Sequence, residues 1–433
     1  MSDEKPPGDE SPTDDKRRRT PAEDVTGIPL NDSIYPHPDV WAVLRRRPPR
    51  GKHGKETATP SLQNLMLILE RDPRWAGRIL GNDFDGETYV DGRLLTDAQE
   101  MAIYRWIERH YGINANLNLV SAAVRFIASE HTTHPVRDYL EALRWDGRRR
   151  LGDWLADYCG AEASPLTSEM ATRWAISAVA RVMSPGCQVD TCLILAGRQG
   201  ARKSSAFRAL AVRDEWFSDS ALDLRNKDAF QSLRGVWLWE LAELDSVRRT
   251  EATAVKAFLT SRWDRFRPSY GRNVVRWGRQ NIFVGTTNEQ AFLSDPTGSR
   301  RFWPVRVGRI DVPGLVKVRD QLWAEAVALY RQGERWYLQG KSEDDLREAS
   351  GDYQHTDPWH DAIETWAAKQ AAPFTLPDVL KRALGREVAD CNNGHQARAA
   401  AVLTQAGYTQ KRLRLNGERA RWWWKGAHGG REW

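Results

Sequence analysis

The sequence predicts an α/β fold, and two observations lead to this prediction. Residues 191–210, TCLILAGRQGARKSSAFRAL, combine a buried apolar strand, a glycine-containing loop and a helix, which is the arrangement of a phosphate-binding loop. Two more apolar strands follow, GVWLWELAELD from Gly235 and NIFVGTTN from Asn281, and each ends in polar residues. A phosphate-binding loop followed by buried strands indicates an α/β core with a ligand site at the strand ends.

The chain has 433 residues and a formal net charge of +6; 41% of its residues are hydrophobic and 28% are charged. This composition excludes collagen-like, coiled-coil and wholly disordered proteins, and the length predicts several domains of about 100–200 residues each. Neither a membrane span of ~18 apolar residues nor a secretory signal is present. We therefore expect a soluble protein in the cytoplasm of a bacterial host cell. Four scattered residues are expected to be reduced, small buried residues: Cys159, Cys187, Cys192 and Cys391.

The loop after the first strand follows the spacing G-x-x-x-x-G-K-[ST] with one departure. Lys203 and Ser204 fill the last two places, so Lys203 is expected to bind the β- and γ-phosphates and Ser204 to ligate Mg²⁺. Arg202 stands where the second glycine of the pattern belongs, and only suitable backbone angles would leave room for phosphate there. The residues expected to bind the nucleotide are Gly197, Gly200, Lys203, Ser204 and Ser205.

The next two strands carry candidate catalytic residues. Glu240 and Glu243 follow the second strand, where an acid holds Mg²⁺ or polarises the attacking water; the alternative is a strand end with two solvated glutamates. The third strand ends in residues 286–288, Thr-Thr-Asn, a polar tip that can position water. Arg300 and Arg301 follow a glycine turn and are candidates for a finger that reaches a γ-phosphate in a neighbouring subunit.

The segment between the second and third strands interleaves basic and aromatic residues. This arrangement suits the binding of single-stranded DNA. The basic residues are Lys256, Arg262, Arg265, Arg267, Arg272, Arg276 and Arg279, and the aromatic ones are Trp263, Phe266, Tyr270 and Trp277. The alternative interpretation is a structural hairpin whose arginines pair with Asp264 and with neighbouring subunits.

Composition and periodicity divide the chain into four parts. Residues 1–58 are a mixed-charge disordered tail, and residues 59–165 predict a helical N-terminal domain, since several segments have helical apolar spacing. Residues 166–345 hold the phosphate-binding core. Residues 346–433 predict three helices and a hairpin around Asn416 and Gly417, the outline of a winged helix-turn-helix domain.

In a winged-helix domain the third helix enters a major groove and the hairpin contacts phosphates. The third helix offers Gln396, Arg398 and Thr404, and the hairpin offers Lys411, Arg412, Arg414, Arg419 and Arg421. Two alternatives stay open. The domain could serve protein–protein contacts, and the aromatic run Trp422–Trp424 could pack on the helices instead of stacking on bases.

Several of these motifs, in one order, resemble the virulence-associated protein E-like family, P-loop proteins of phages and mobile elements related to superfamily 3 helicases. The resemblance is carried by HPVRDYLEALRWDG, AGRQGARKSS, WELAELD, KAFLTSRWDRFRPSYGR, GTTN and DPTGSRRFWPV. It implies an AAA+-like ATPase core, a ring and ATP-driven movement on DNA. The implied roles are Lys203 and Ser204 as the Walker A pair, Glu240 and Glu243 as Walker B acids, Asn288 as the sensor, Arg300 or Arg301 as the finger, and Lys256 to Arg272 as the DNA-facing segment.

The function we expect is that of a ring-forming, ATP-dependent DNA helicase. The alternative is that the departure at Arg202 leaves the loop with only weak nucleotide binding. In that case the protein would be a DNA-binding initiator or regulator that uses nucleotide as an assembly switch, and an ATPase in defence between mobile elements is a third alternative. The expected cofactors are ATP and Mg²⁺. The expected partners are single- and double-stranded DNA, copies of the same chain in a hexamer, and a separate primase or replication protein, because no primase activity is predicted here.

Overall fold

The structure is a computed structural model, and it describes residues 35–49, 55–221, 229–241, 249–268, 273–288, 300–353, 358–387, 390–415 and 418–425. The chain divides into two compact units, Met1–Asp138 and Tyr139–Trp433. Among the described helices, none combines the length and the apolar character of a membrane span. Most of the predicted N-terminal tail, residues 1–34, lies outside the described residues.

The first unit packs helices on a small sheet with the strand order β5-β4-β3-β6. Its helices are α1 (Pro38–Val43), α2 (Leu62–Arg71), α3 (Asp97–Tyr111), α4 (Leu117–Glu130) and the start of α5 (Pro135–Ala142). Its strands are β1 (Arg46–Arg47), β2 (Thr57–Ala58), β3 (Ile79–Asn82), β4 (Thr88–Val90), β5 (Arg93–Leu94) and β6 (Thr132–Thr133). Leu65, Trp75, Trp106 and Val124 are fully buried in its core.

Segments with helical apolar spacing form helices in this unit, but the predicted helical domain also contains a four-stranded sheet that was not predicted. Helix α3 shows why the helices could be predicted from the sequence. Thr96 and Gln99 form a reciprocal capping box at its start, and Gly112 ends it in the left-handed region at φ 63°. The strands contain only two to four residues, too few for an alternating pattern to be recognised.

The second unit is built on a five-stranded sheet with the order β13-β7-β12-β9-β8. The strands of this unit are β7 (Cys192–Ala196), β8 (Phe217–Ser218), β9 (Leu238–Leu241), β10 (Trp263–Phe266), β11 (Val275–Gly278), β12 (Ile282–Thr287) and β13 (Phe302–Arg306). All four pairings in the five-stranded sheet are parallel, whereas β10 and β11 form a separate antiparallel hairpin. The carboxyl ends of the five strands therefore meet at one edge.

Helices surround this sheet, and tryptophans fill the space between them. The helices are α6 (Trp154–Cys159), α7 (Pro165–Met183), α8 (Lys203–Leu210), α9 (Ala229–Ser232), α10 (Arg249–Thr260), α11 (Val312–Arg331) and α12 (Lys341–Ala349), with 3₁₀ turns at Asp214–Trp216 and Ser350–Tyr353. Trp323 of α11 lies 4.5 Å from Trp237 and 6.0 Å from Trp174 between ring centroids, and all three are fully buried. Several of the 20 tryptophans of the chain therefore form part of its core.

The C-terminal part of the second unit contains the predicted helices and hairpin. The helices are α13 (His360–Ala367), α14 (Leu376–Asp378), which continues into a π-helical turn at Val379–Ala383, and α15 (Asn393–Gln405). The strands are β14 (Phe374–Thr375), β15 (Tyr408–Leu415) and β16 (Glu418–Lys425), in the order β14-β16-β15. Val379, Leu403 and Trp423 lie in the core between them. Asn416 and Gly417 of the predicted turn lie outside the described residues.

The four cysteines are free thiols in the structure, and two of them have the burial that the sequence predicted. Cys159 and Cys192 are buried, and Cys187 and Cys391 are half-buried. Burial disfavours the thiolate, so it raises the pKa of Cys159 to about 12 and also raises the pKa of Cys192.

Candidate functional site

Three sequence motifs come together at the carboxyl edge of the parallel sheet, the edge at which open α/β sheets bind ligands. The loop 197–202 leaves the end of β7, Glu240 lies near the end of β9, and Thr286 and Thr287 end β12. The register aligns these ends, since Thr287 pairs with Ala196 and the amide of Gly197 donates to the Thr287 carbonyl at 3.2 Å.

The backbone of the loop has the tight geometry that its glycines predict. A Cβ atom on Gly197 would lie 2.8 Å from the Val307 carbonyl oxygen, so only glycine fits there. Gly200 has φ 79°, and Arg202, at the start of α8, has φ 68° and ψ 31°. The left-handed conformation costs a residue with a Cβ roughly 1–2 kcal/mol. Arg202 thus keeps the backbone that the standard glycine would adopt.

Lys203 is held against the loop by three oxygen acceptors. Its Nζ donates to the carbonyl of Gly197 at 2.8 Å, to the carbonyl of Arg198 at 3.0 Å and to Oδ1 of Asn288 at 2.8 Å. The side chain is 7% exposed. Lys203 and Asn288, which the sequence places 85 positions apart, therefore meet directly.

Glu240 is the buried acid of this edge, with 1% exposure. Its Oε1 accepts from Oγ of Ser204 at 2.8 Å and from Oγ1 of Thr286 at 2.5 Å. Its Oε2 is buried and has no hydrogen-bond partner among the described residues. A buried carboxylate oxygen without a donor calls for a ligand or water in the adjoining space.

That space is a cavity of about 330 Å³ at the start of α8. Its lining consists of Gly200, Ala201, Arg202, Lys203, Ser204, Ser205, Glu240, Thr286, Thr287 and Asn288. A helix start offers free amide groups that suit a phosphate, and hydroxyl and carboxylate oxygens are the ligands that Mg²⁺ prefers. The described residues contain no cluster of three His, Cys, Asp or Glu side chains for a metal, so Ser204 and Glu240 could hold Mg²⁺ only together with ligand or water oxygens.

Two other predicted catalytic residues, both arginines, do not line this cavity. Arg300 and Arg301 immediately precede β13, whose first residue, Phe302, pairs with the first residue of β7. They lie at the amino edge of the sheet, a strand length of about 15 Å from the loop. Arg301 contacts Thr260 Oγ1 at 3.2 Å, and Arg300 is exposed. Glu243 lies outside the described residues.

Several arginines of the first basic segment support the hairpin β10–β11. Arg279 is buried and forms an ion pair with buried Asp264, at 2.9 Å between Nη2 and Oδ1. Arg262 donates through Nε to the Gly186 carbonyl at 2.7 Å, and the guanidinium of Arg276 lies 4.3 Å from the ring centroid of Trp263. The ion pair with Asp264 is the structural alternative that the sequence left open.

The residues predicted to bind DNA from this segment are distributed differently. Arg265 is exposed on β10, directly across from Arg276. Lys256 is half-buried in α10, and Arg267, which follows β10, is exposed. Tyr270 and Arg272 lie outside the described residues.

The C-terminal hairpin carries its arginines on one face. Arg412 pairs with Arg421, and Arg414 pairs with Arg419, so two pairs of like charge follow each other along the strands. All four are exposed, and Arg412, Arg419 and Arg421 form no ion pair with another described residue. Side chains alternate between the two faces of a strand, so Lys411 lies on the opposite face. The sequence had grouped Lys411 with the arginines.

Helix α15 presents two of its three predicted contact residues to solvent. Gln396 and Thr404 are exposed, whereas the guanidinium of Arg398 lies 4.1 Å from the ring centroid of Trp359. In the hairpin, Trp422 and Trp423 are buried, which agrees with the interpretation that the aromatic run packs on the helices.

Thr286 is the residue of this site whose role the sequence analysis missed. The polar tip after the third strand was predicted, but Asn288 was the residue assigned to it. The register of β9 and β12 brings the Thr286 hydroxyl to Glu240, and this register was not readable from the sequence.

A family model described as the virulence-associated protein E-like domain matches residues 140–355. One solved structure, the A form apo structure of the NrS-1 C terminal region, has 12% identity and a TM-score of 0.41, over 66% of this chain and 78% of that chain. Another, the apo structure of NrS-1 C terminal region (305-718), has 10% identity and a TM-score of 0.42, over 79% of this chain and 95% of that chain. No curated protein matches the chain.

Proposed function

Because residues 140–355 place the chain in the virulence-associated protein E-like family, we propose that it is an ATP-dependent DNA helicase that acts as a ring in the replication of a phage or mobile genetic element. The proposal assigns an AAA+-like P-loop ATPase core to residues 166–345 and a winged-helix-like DNA-binding domain to residues 346–433. The observation that carries it is the meeting of Lys203, Ser204 and Glu240 at one cavity, since these residue types bind and hydrolyse nucleoside triphosphates in P-loop proteins.

In this proposal each residue of the cavity has a distinct task. Lys203 exchanges acceptors of its own loop for phosphate oxygens, and Asn288, bonded to its Nζ, links the ligand to the end of β12. The hydroxyls of Ser204 and Thr286 fix Oε1 of Glu240. The Oε2 atom is then left to accept the proton of the attacking water.

Magnesium fits the oxygen donors of the cavity, and when bound it supplies positive charge that stabilises the phosphate oxygens. Ser204 would hold it through its hydroxyl and Glu240 through a water, and the 2.8 Å contact between Ser204 Oγ and Glu240 Oε1 supports this assignment. The acid that Glu243 would add lies outside the described residues.

The position of the arginines supports an assembly in which neighbouring subunits share a site. Arg300 and Arg301 lie at the amino edge of the sheet, away from the loop of their own chain. As a finger, Arg300 or Arg301 would therefore reach the terminal phosphate bound to the next subunit, as the proposed hexameric ring requires.

DNA contact is assigned to both hairpins. The four arginines on one face of β15–β16 suit the phosphate backbone, because arginine donates in a fixed fork to phosphate oxygens. In β10–β11 the exposed Arg265 is the residue best placed for a backbone contact, and Lys256 and Arg267 are assigned to the same DNA-facing segment.

The proposal is tested by ATP hydrolysis with Mg²⁺ in the wild type and in Lys203→Ala. We expect the variant to lose at least about 100-fold in hydrolysis, since it removes a cation that stabilises the transferring phosphoryl group. Lys317→Ala, which removes an exposed lysine from α11, is the matched control and should retain wild-type turnover. Equal turnover in the wild type and in Lys203→Ala would contradict the proposed site.

A further inference from the structure

Arg202 occupies a backbone conformation that favours glycine. Its φ of 68° and ψ of 31° lie in the left-handed region, and the residue directly precedes Lys203 at the start of α8. Glycine would adopt these angles without the steric penalty of a Cβ atom. The side chain of Arg202 is therefore present at the expense of local backbone stability.

No hydrogen bond or ion pair of the Arg202 side chain with the described residues offsets this steric penalty. Arg202 makes no capping hydrogen bond, is exposed, and forms no ion pair within the described part of the chain. Asp91 is a useful contrast, because it also has positive φ, 51°, but forms an ion pair with Arg78. Backbone strain that brings no structural contact is characteristic of functional sites.

Arg202 also lines the cavity that holds Lys203, Ser204 and Glu240. The two cations of this lining differ in their surroundings. The Nζ atom of Lys203 is held by three oxygens of the protein itself, whereas the side chain of Arg202 is exposed and no hydrogen bond or ion pair to the described residues holds it. An arginine presents a planar fork of donors that fits phosphate oxygens in a bidentate manner.

We infer that Arg202 is a phosphate-binding residue that donates to the terminal phosphate of a nucleoside triphosphate bound to its own subunit. This inference rests on the proposed function. Arg300 and Arg301 lie at the other edge of the sheet, so Arg202 supplies within one chain an arginine that they cannot supply there. The departure from the standard loop is thus a gain of a ligand contact.

In a merely defective loop, fold stability and triphosphate binding would change together. If Arg202 binds phosphate, its replacement changes them in opposite directions. Replacing Arg202 by glycine restores the standard sequence and relieves the backbone, so the variant should resist urea better than the wild type. The same change removes a charged donor from the cavity, so the binding of a triphosphate should weaken.

The experiment measures equilibrium binding of a non-hydrolysable ATP analogue and of ADP to the full chain, together with urea unfolding. For Arg202→Gly we expect about 10-fold weaker binding of the triphosphate, the size of one charge-assisted hydrogen bond, with a change for ADP of about twofold or less because ADP lacks the terminal phosphate. Arg202→Lys, which keeps the charge, should fall between Arg202→Gly and the wild type.

Arg198→Ala is the matched control, since Arg198 is an exposed arginine of the same loop that does not line the cavity. It should bind the triphosphate within about twofold of the wild type, a loss below one hydrogen bond. Equal or tighter triphosphate binding by Arg202→Gly would overturn the inference, as would an equal loss in Arg198→Ala. A wild type that binds neither nucleotide would instead contradict the proposed function, and the inference with it.

Discussion

The hairpins β10–β11 and β15–β16 are both rich in arginine and aromatic residues, but they use their arginines in opposite ways. In β10–β11, Arg279 is buried against Asp264 and Arg276 lies on the ring of Trp263. In β15–β16 the aromatic side chains are buried at the base, and four arginines face solvent in two like-charged pairs.

The difference comes from register and burial, which the number of arginines does not reveal. Like charges directly across a hairpin are unfavourable. Two such pairs follow each other in β15–β16, whereas β10–β11 has one, Arg265 with Arg276, and two adjacent pairs favour an anionic ligand. A buried arginine with its own carboxylate is already neutralised and indicates a structural role. Of the two basic segments, the C-terminal hairpin is therefore the stronger candidate for the DNA backbone.

The largest expected effect concerns stability. Arg279→Met leaves Asp264 buried without its partner, and we expect the free energy of unfolding to fall by about 3–5 kcal/mol, as is usual when one member of a buried ion pair is removed. Urea unfolding measures this loss. Arg276→Met on the same hairpin is the control and should cost less than about 1 kcal/mol, because it removes only a contact with an aromatic ring. Similar losses in both variants would remove the distinction between the two kinds of arginine.

The smaller expected effect concerns DNA. Each phosphate contact contributes about 0.9 to the slope of log K against log salt, so Arg412→Ala should lower the magnitude of the slope for duplex DNA by about 0.9, and the double variant with Arg421→Ala by about 1.8. Lys411→Ala removes one charge from the opposite face of the same strand and should leave the slope unchanged. A slope that changes equally for Lys411 and Arg412 would show that only net charge matters, and the comparison of faces would fail.

The sequence predicted best those elements whose signal is local. The strand, loop and helix around Lys203 were readable because their apolar runs and glycines are contiguous, and α3 because its cap and terminal glycine are. The sheet of the first unit was missed because its strands are very short. The contact between Thr286 and Glu240 depends on how β9 and β12 align, and no local pattern encodes that alignment.

The roles of single arginines were predictable only in part, for the same reason. Residues 262–279 and 411–421 look alike as strings, and the burial of Arg279 becomes evident only when Asp264 is placed beside it. Strand alternation separates Lys411 from Arg412 once the strand is known to begin at Tyr408. Long-range pairing thus decides which basic residues remain for a ligand.

The proposed function requires that ATP hydrolysis at the cavity drives movement on DNA, and the variant Glu240→Gln tests this requirement most directly. Glutamine keeps an oxygen that can accept from Ser204 and Thr286, but it replaces Oε2, the proposed proton acceptor, by an amide. The measurement is strand displacement on a forked DNA with ATP and Mg²⁺. ATP hydrolysis, ATP binding and DNA binding are measured alongside it.

We predict that the wild type hydrolyses ATP faster with single-stranded DNA and displaces the strand. Glu240→Gln should bind ATP and DNA but lose about 100-fold or more in hydrolysis, the usual contribution of a general base, and should displace no strand. A wild type without DNA-stimulated hydrolysis, or a variant that turns over as fast as the wild type, would contradict the motor and favour a nucleotide-dependent assembly switch.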